Sequence, residues 1–214
     1  MKNKINLYKS IQKYNIKTIL DIGSNIGQFA LEIRSSFPET FILCIEPNID
    51  CETYLKNRGL DYIICCPSDS KTTKKFYRMK SDPIGTGHSL YKENTHHYAG
   101  ENLLVEEIQT DTMDSILEQS SFNNLSFDFI KLDTQGSELD ILKGCSKLLS
   151  NAKIILAETD VSNYNQGCPP QKDVIQFMQK NGFEVDCVIE DQITPKGTII
   201  QQDLLFVKKN QYGF

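Results

Sequence analysis

A short apolar run followed by spaced glycines is the first group of residues whose types suggest binding chemistry. Residues 18–29 read TILDIGSNIGQF, with Asp21 inside the run and Gly23 and Gly27 after it. The run is too short for a helix and ends in a loop signal, which predicts a buried strand, a tight turn and a helix start. Glycines allow the backbone to approach a ligand or a packed helix closely. The stretch therefore predicts a ligand-cradling turn.

A second acid, Glu46, ends the next apolar run. A carboxylate there can accept hydrogen bonds from both ribose hydroxyls of a nucleoside-bearing cofactor. Dinucleotide binders use G-x-G-x-x-G, but counting from Gly23 the second and third glycines would fall on Asn25 and Gln28. Asp21 would repel a pyrophosphate, yet it suits a cofactor with an ammonium and a sulfonium. These residues predict S-adenosylmethionine (SAM) as the cofactor.

Three further side chains are candidates for a general base. Asp133 follows an alternating run and precedes a turn, so we expect it at the carboxyl end of a strand, in the crevice where open α/β sheets bind ligands. Glu158 ends the next predicted strand, and His88 lies in a turn-rich stretch. A hydroxyl is a poor nucleophile near neutral pH, so a base would help. We rank Asp133 first, His88 second and Glu158 third, with Asp133 alternatively holding the cofactor's amino group.

A divalent cation is a further option beside these acids. Asp133, Glu158 and Asp160 could share Mg²⁺ through oxygen ligands and so bind a substrate diol. We assign no residue to a resident metal site. The seven cysteines include no C-x-x-C pair, and we expect neither zinc nor disulfides.

The elements that must position these residues alternate between strand and helix. An amphipathic helix is expected within residues 1–16, and strand–helix pairs follow from residue 18 onwards, with long connections that allow an antiparallel strand near the C-terminus. Residues 70–110 break the alternation with two strands around a stretch rich in glycine and proline. We expect this inserted hairpin to act as a lid, with residues 80–100 forming a mobile wall over the acceptor.

Composition limits the class of protein. The chain has 214 residues, of which 39% are hydrophobic, and this predicts a single α/β domain over residues 1–214. With 23 basic and 28 acidic residues and no long basic block, nucleic acid is not an expected partner. No segment reads as a signal peptide or as ~20 apolar residues of a membrane helix, so we expect a cytoplasmic protein without membrane insertion.

Five segments carry a family resemblance: DIGSNIG at 21–27, EPN at 46–48, SD at 68–69, TMDSIL at 112–117 and KLDTQGSELDILKG at 131–144. Together they resemble the FkbM family of SAM-dependent methyltransferases over about residues 18–160. One departure is Gln135, where the family more often has Glu. The resemblance implies a Rossmann-like class I methyltransferase fold, with a seven-stranded, mostly parallel sheet, helices on both faces and one antiparallel edge strand.

The resemblance also implies O-methylation of a hydroxyl on a sugar or other small metabolite. The acceptor is then a small molecule such as a sugar or nucleotide sugar, and the oligomeric state stays open. Residues expected in the cofactor pocket, with Ser68 and Asp69 near the adenine, are Asp21, Gly23, Ser24, Asn25, Gly27, Gln28, Glu46, Pro47, Asn48, Ser68, Asp69 and Asp133.

Two other functions fit parts of the sequence. An NAD-linked oxidoreductase would share the fold and Glu46, but it would need the two missing glycines. A SAM-binding module without catalysis would keep the glycine turn and lose the substrate side, and the retained Asp133 turn and the inserted hairpin argue against this alternative.

Overall fold

The structure of the protein, a computed structural model, describes residues 5–209. Over this range a seven-stranded sheet has the order β3-β2-β1-β7-β8-β10-β9. Its strands are Thr18–Ile22 (β1), Phe41–Glu46 (β2), Asp61–Ile64 (β3), Phe129–Leu132 (β7), Ile154–Asp160 (β8), Phe183–Ile193 (β9) and Ile199–Lys208 (β10). A three-stranded sheet contains Cys66–Pro67 (β4), Thr72–Met79 (β5) and Leu103–Asp111 (β6).

The helices divide between the two faces of the large sheet. One apolar core lies beneath Leu7–Ile11 (α1), Gln28–Ser36 (α2) and Glu52–Asn57 (α3). The other lies beneath Met113–Glu118 (α4), Glu138–Lys143 (α5), Ser146–Asn151 (α6) and Gln171–Lys180 (α7). Because both faces are covered, the central strands are apolar along almost their whole length. The predicted mostly parallel sheet with helices on both faces is confirmed.

The antiparallel strand occupies a different place from the one expected. β10 runs antiparallel to both β8 and β9, so it lies one position inside the edge strand β9. Its position brings the start of β10 beside the end of β8, where Gln201 pairs in register with Asp160. This antiparallel return therefore places β10 side chains next to the carboxyl ends of the parallel strands.

The third predicted strand is shorter than the sequence indicated. The run DYIICC at residues 61–66 predicts a third strand over its whole length, but β3 ends at Ile64, and Cys66 pairs with Thr110 in the small sheet. The chain therefore leaves the large sheet at Cys65, and the following residues join the inserted hairpin.

The N-terminal helix is also shorter than predicted. Asn6 caps α1 by accepting a hydrogen bond from the Lys9 amide, and a 3₁₀ turn over Gln12–Tyr14 follows. Asn15 then has a left-handed conformation, which ends the helical segment. Residues 1–4 of the predicted helix lie outside the described residues. None of the helices in residues 5–209 has the length and apolar character needed to cross a lipid bilayer.

The inserted segment forms the predicted hairpin. β5 pairs antiparallel with β6, from Thr72 opposite Thr110 to Met79 opposite Leu103. Residues 80–102 between these strands contain short 3₁₀ turns and isolated bridges, and one bridge joins Ser89 to Tyr77. We refer to residues 82–90 as the covering loop.

Candidate active site

A cavity lies at the carboxyl ends of β1, β2 and β7. The covering loop closes one side of the cavity, and the strand ends form the other. The lining residues are Ile22, Gly23, Asn25, Glu46, Pro47, Cys66, Pro67, Phe76, Gly85, Thr86, His88, Ser89, Leu90, Asp133, Thr134, Ser137 and Ile141.

Glu46 is a buried carboxylate at the end of β2. Its Oε2 accepts a hydrogen bond from the Asn25 amide at 2.7 Å, and its Oε1 accepts one from the Asn48 amide at 2.9 Å. Burial raises the pKa of Glu46 to about 7, although the two amides oppose the rise. Each oxygen keeps a further lone pair, so the carboxylate can still accept from a diol.

The two glycines of the first turn are required by close packing. Gly23 has a φ of +78°, and a Cβ there would lie 2.0 Å from the backbone oxygen of Asp133. Gly27 has a φ of +82°, and a Cβ would lie 2.3 Å from a Leu60 methyl carbon. Gly23 therefore allows the β1 and β7 turns to touch, while Gly27 allows α2 to begin against Leu55 of α3 and against Leu60.

Lys131 joins two carboxylates at the base of the site. Its Nζ donates to Asp133 Oδ2 at 3.1 Å, lies 3.5 Å from Asp21 Oδ1 and stacks over the Phe29 ring at 5.0 Å. Burial would lower the pKa of Lys131, but Asp133 and Asp21 raise it above its usual value. Asp21 is fully buried, and neither of its oxygens has a hydrogen-bond partner among the described residues. Its charge therefore faces Lys131.

The turn after β7 is held by a buried acid. Glu138 accepts hydrogen bonds from the Thr134 amide and hydroxyl and from the Gly136 amide. Burial raises the pKa of Glu138 to about 7, and these donors oppose the rise. The turn leaves the Asp133 side chain 43% exposed at the cavity wall. Gln135, in a left-handed conformation, places its Nε2 3.4 Å from Asp133 Oδ1.

Residues 21–185 match the sequence model of the methyltransferase FkbM domain, which covers more than half of the chain. The chain belongs to the FkbM methyltransferase family. The predicted family is thus confirmed, and SAM is the cofactor of this FkbM methyltransferase.

Solved structures support the fold of the FkbM methyltransferase. The magnesium protoporphyrin IX methyltransferase ChlM from Synechocystis PCC 6803, solved with SAM, is 12% identical with a TM-score of 0.51, covering 94% of this chain and 74% of that one. TrmK from M. capricolum, solved with S-adenosylhomocysteine (SAH), is 10% identical with a TM-score of 0.52. The match covers 98% of this chain and 71% of the TrmK chain. At such identities the similarity shows the fold alone. A search of curated proteins finds no significant match.

The residue types that line the cavity are compatible with SAM. The Glu46 carboxylate is suited to a ribose diol, and apolar side chains of Pro67, Phe76, Leu90 and Ile141 offer a surface for a purine ring. Of the residues expected to bind the cofactor, those on the cavity wall are Gly23, Asn25, Glu46, Pro47 and Asp133. The others lie behind or beside the wall.

The remaining predicted cofactor residues make other contacts. The Ser24 hydroxyl donates to the Ile45 carbonyl, and Gln28 is exposed and donates to Glu32. Ser68 and Asp69 both accept hydrogen bonds from Lys74 Nζ, at 2.8 and 3.0 Å. Because the chain leaves the large sheet at Cys65, Cys66 and Pro67 reach the cavity in place of Ser68 and Asp69.

The side chains of Asn25 and Asn48 hold the covering loop. Asn25 Nδ2 donates to the Ile84 carbonyl at 2.9 Å, and Asn48 Nδ2 donates to the Pro83 carbonyl at 2.7 Å. On the opposite side, the Ser89 hydroxyl lies 2.9 and 2.8 Å from the carbonyls of Thr134 and Gln135. We expected this segment to wall off the acceptor, but residues 85–90 lie over the same cavity as Glu46.

The three candidate bases have different environments. His88 lines the cavity, but its Nε2 accepts a hydrogen bond from the Met79 amide at 3.2 Å. Burial and the Arg78 charge lower the pKa of His88. Glu158 is buried, and its oxygens accept from glutamine amides. Of the two carboxylates, Asp133 is the more exposed, and it lies on the cavity wall.

The acids considered for Mg²⁺ do not form a ligand set. Asp160 accepts hydrogen bonds from the amides of Asn163 and Asn165, which fold the loop after β8. No group of three His, Cys, Asp or Glu side chains within residues 5–209 is arranged to hold a metal ion. The seven cysteines are free thiols.

Sequence reasoning missed Lys131 and two glutamines, Gln192 and Gln201. Lys131 could have been found from strand alternation, because a lysine two residues before Asp133 points to the same face of β7. Gln192 and Gln201 lie on the long antiparallel strands, and nothing in the local sequence marks them as neighbours of Glu158.

Proposed function

We propose that this FkbM-family enzyme transfers the methyl group of SAM to a hydroxyl oxygen of a sugar or similar small metabolite, with Asp133 as the base. The observation that supports this most directly is the exposed Asp133 carboxylate on the same cavity wall as Glu46. Bound SAM supplies a methyl group on a sulfonium, which is already a good leaving group. The work of the chain is to bind, orient and exclude water.

The contacts of Asp133 suggest which oxygen takes the proton. Lys131 Nζ donates to Oδ2 at 3.1 Å, while Oδ1 has only a long contact of 3.4 Å from Gln135. Oδ1 is therefore the oxygen free to accept a hydrogen bond from the acceptor hydroxyl. As the oxygen–carbon bond forms and the sulfur–carbon bond breaks, the hydroxyl proton passes to Asp133. The products are the methyl ether and SAH.

A transfer assay tests this proposal. Purified protein is incubated with SAM labelled in its methyl group and a panel of sugars, nucleotide sugars and simpler alcohols, and label in the acceptor is measured. Calorimetry with SAH and with NADH separates the methyltransferase from an NAD-linked oxidoreductase. Label on a hydroxyl oxygen supports the proposal. Label on nitrogen or carbon would refute O-methylation, and SAH binding without any turnover would favour a non-catalytic module.

A further inference from the structure

A buried carboxyl beside Asp133 receives hydrogen bonds from three glutamine amides. Glu158 Oε2 accepts from Gln135 Nε2 at 2.5 Å and from Gln201 Nε2 at 2.9 Å, and Oε1 accepts from Gln192 Nε2 at 2.5 Å. The glutamines come from the β7 turn, β10 and β9, respectively. We call these four residues the glutamine cluster. It is next to the proposed base, because Gln135 Nε2 also approaches Asp133.

The cluster contains an unsatisfied acceptor. Gln201 is 1% exposed, and its Oε1 has no hydrogen-bond partner among the described residues. The same amide donates through Nε2 to Glu158, so Oε1 also lies at the cluster. A buried amide oxygen without a donor is energetically unfavourable. This unpaired oxygen is shielded from solvent, but its partial negative charge adds to the acceptor character of the cluster.

The charges around the cluster have mainly one sign. Asp203 lies next to Glu158 in the β8–β10 pairing, and Asp133 follows at the end of β7. Lys131 contributes one positive charge, which is already shared between Asp21 and Asp133. Burial raises the pKa of Glu158 well above its usual value, and Asp133, Glu138 and Asp203 add to this rise. A phosphate placed here would meet hydrogen-bond acceptors and negative charge.

Building on the proposed O-methylation, we infer that the acceptor is a polyhydroxylated molecule without a phosphate near the methylated hydroxyl. A second hydroxyl, or an ammonium, donates a hydrogen bond to the glutamine cluster. Half-buried Gln135 and Gln192 form the accessible side of the cluster. Neutral sugars and amino sugars fit this chemistry, whereas sugar phosphates and nucleotide sugars do not.

Matched acceptors test the inference. For each of several hexoses, the methyl glycoside, the amino sugar, the 1-phosphate and the nucleoside diphosphate sugar are compared in the labelled transfer assay. Binding to the SAH complex is measured in parallel by saturation-transfer NMR. We expect the non-anionic forms to bind, and to react at least tenfold faster than the phosphorylated forms. Equal or better use of the phosphorylated forms, or no binding by any non-anionic form, would overturn the inference.

A charge-changing variant gives a second test. Gln192→Lys places a cation at the accessible side of the cluster. It should raise the affinity of the SAH complex for the 1-phosphate relative to its affinity for the methyl glycoside by roughly tenfold. Gln179→Lys makes the same change at an exposed position of α7 and should leave the ratio as in the wild type. An unchanged ratio in Gln192→Lys would overturn the inference. SAH affinity, measured in the wild type and in both variants, is a separate readout: failure of the wild type to bind SAH would refute the proposed function instead.

Discussion

At the scale of single residues, we expect the buried carboxylate of Glu46 to make cofactor affinity dependent on pH. Burial raises its pKa to about 7, so without cofactor much of the protein carries a protonated Glu46 at pH 6. If the ribose hydroxyls of the cofactor donate to the charged form of Glu46, as we propose, binding requires release of this proton. We predict that SAH binds roughly tenfold more weakly at pH 6 than at pH 8, as measured by calorimetry.

The Glu46→Gln variant isolates this effect from other titrating groups. It should lose the pH dependence and, at pH 8, bind SAH more weakly by roughly 1.5–3 kcal/mol, because charge-assisted hydrogen bonds are lost. Glu39→Gln, at an exposed position, is the matched control and should behave as the wild type. The same pH dependence in Glu46→Gln and the wild type would assign the titration to another group.

Asp133→Asn distinguishes a base from a cofactor anchor. The substitution keeps the size of the side chain and one acceptor oxygen but removes the charge. If Asp133 is the base, the Asp133→Asn variant should show a fall in kcat of around 10²–10⁴-fold with SAH affinity little changed. As an anchor for the cofactor's ammonium, its loss should raise the Kd, and saturating SAM should restore most of the rate. If both quantities stay near wild type, the proposed base is wrong.

Lys131 is expected to matter for stability because it faces a fully buried acid. Lys131→Met leaves Asp21, which is 0% exposed, without its neighbouring cation. Breaking a buried ion pair from one side costs about 3–5 kcal/mol of unfolding free energy. The double variant Asp21→Asn with Lys131→Met should recover part of this loss. Urea unfolding measures the free energy of unfolding of the single and the double variant. Equal values for the two variants would show that Asp21 and Lys131 are not coupled.

At the scale of elements, the covering loop is held to the first turn by a side chain that can be removed without strain. Asn25 has a φ of +49°, so Asn25→Gly keeps a backbone conformation that glycine adopts easily and removes the hydrogen bond to Ile84. The loss of one hydrogen bond should speed SAH dissociation by roughly 2–10-fold. Stopped-flow displacement of SAH measures this rate.

Asn163→Gly is the matched control for this element. Asn163 also has a positive φ, of +58°, but it lies in an exposed part of the loop after β8. It should leave SAH dissociation unchanged. If Asn25→Gly and Asn163→Gly speed SAH dissociation equally, the faster rate reflects general destabilisation of the protein. No effect of Asn25→Gly would mean that the covering loop does not retain the cofactor.

At the scale of the whole molecule, the cavity joins strands that are distant in the sequence. Residues from the ends of β1, β2 and β7 and from the inserted hairpin all line it, so a bound cofactor contacts only the folded chain. At 100 times the Kd, a ligand that binds only the native state stabilises it by ~2.7 kcal/mol. For a chain of 214 residues we predict a rise in Tm of roughly 5–11 °C with SAH. NADH is the control, and an equal rise with NADH would contradict the cofactor assignment.

Much of the fold and part of the candidate site could be predicted from the sequence because the signals are local. The apolar run at residues 18–22, the glycine turn and the acids that end neighbouring runs each occur within a few residues. Parallel strands end at the same edge of a sheet, so Glu46 and Asp133 could be placed together without knowledge of the packing. The sequence alone thus determined the order of most elements, the family and the edge of the sheet that carries the site.

Tertiary structure decided which side chains meet. The chain switches sheets at Cys65, because Cys66 pairs with a strand more than forty residues later, and Cys66 and Pro67 line the cavity where Ser68 and Asp69 were expected. The register of β10 against β8 brought Gln201 to Glu158, and β1–β7 pairing brought Lys131 to Asp21. Such contacts depend on the register between strands distant in sequence, and periodicity within one strand carries no information about that register.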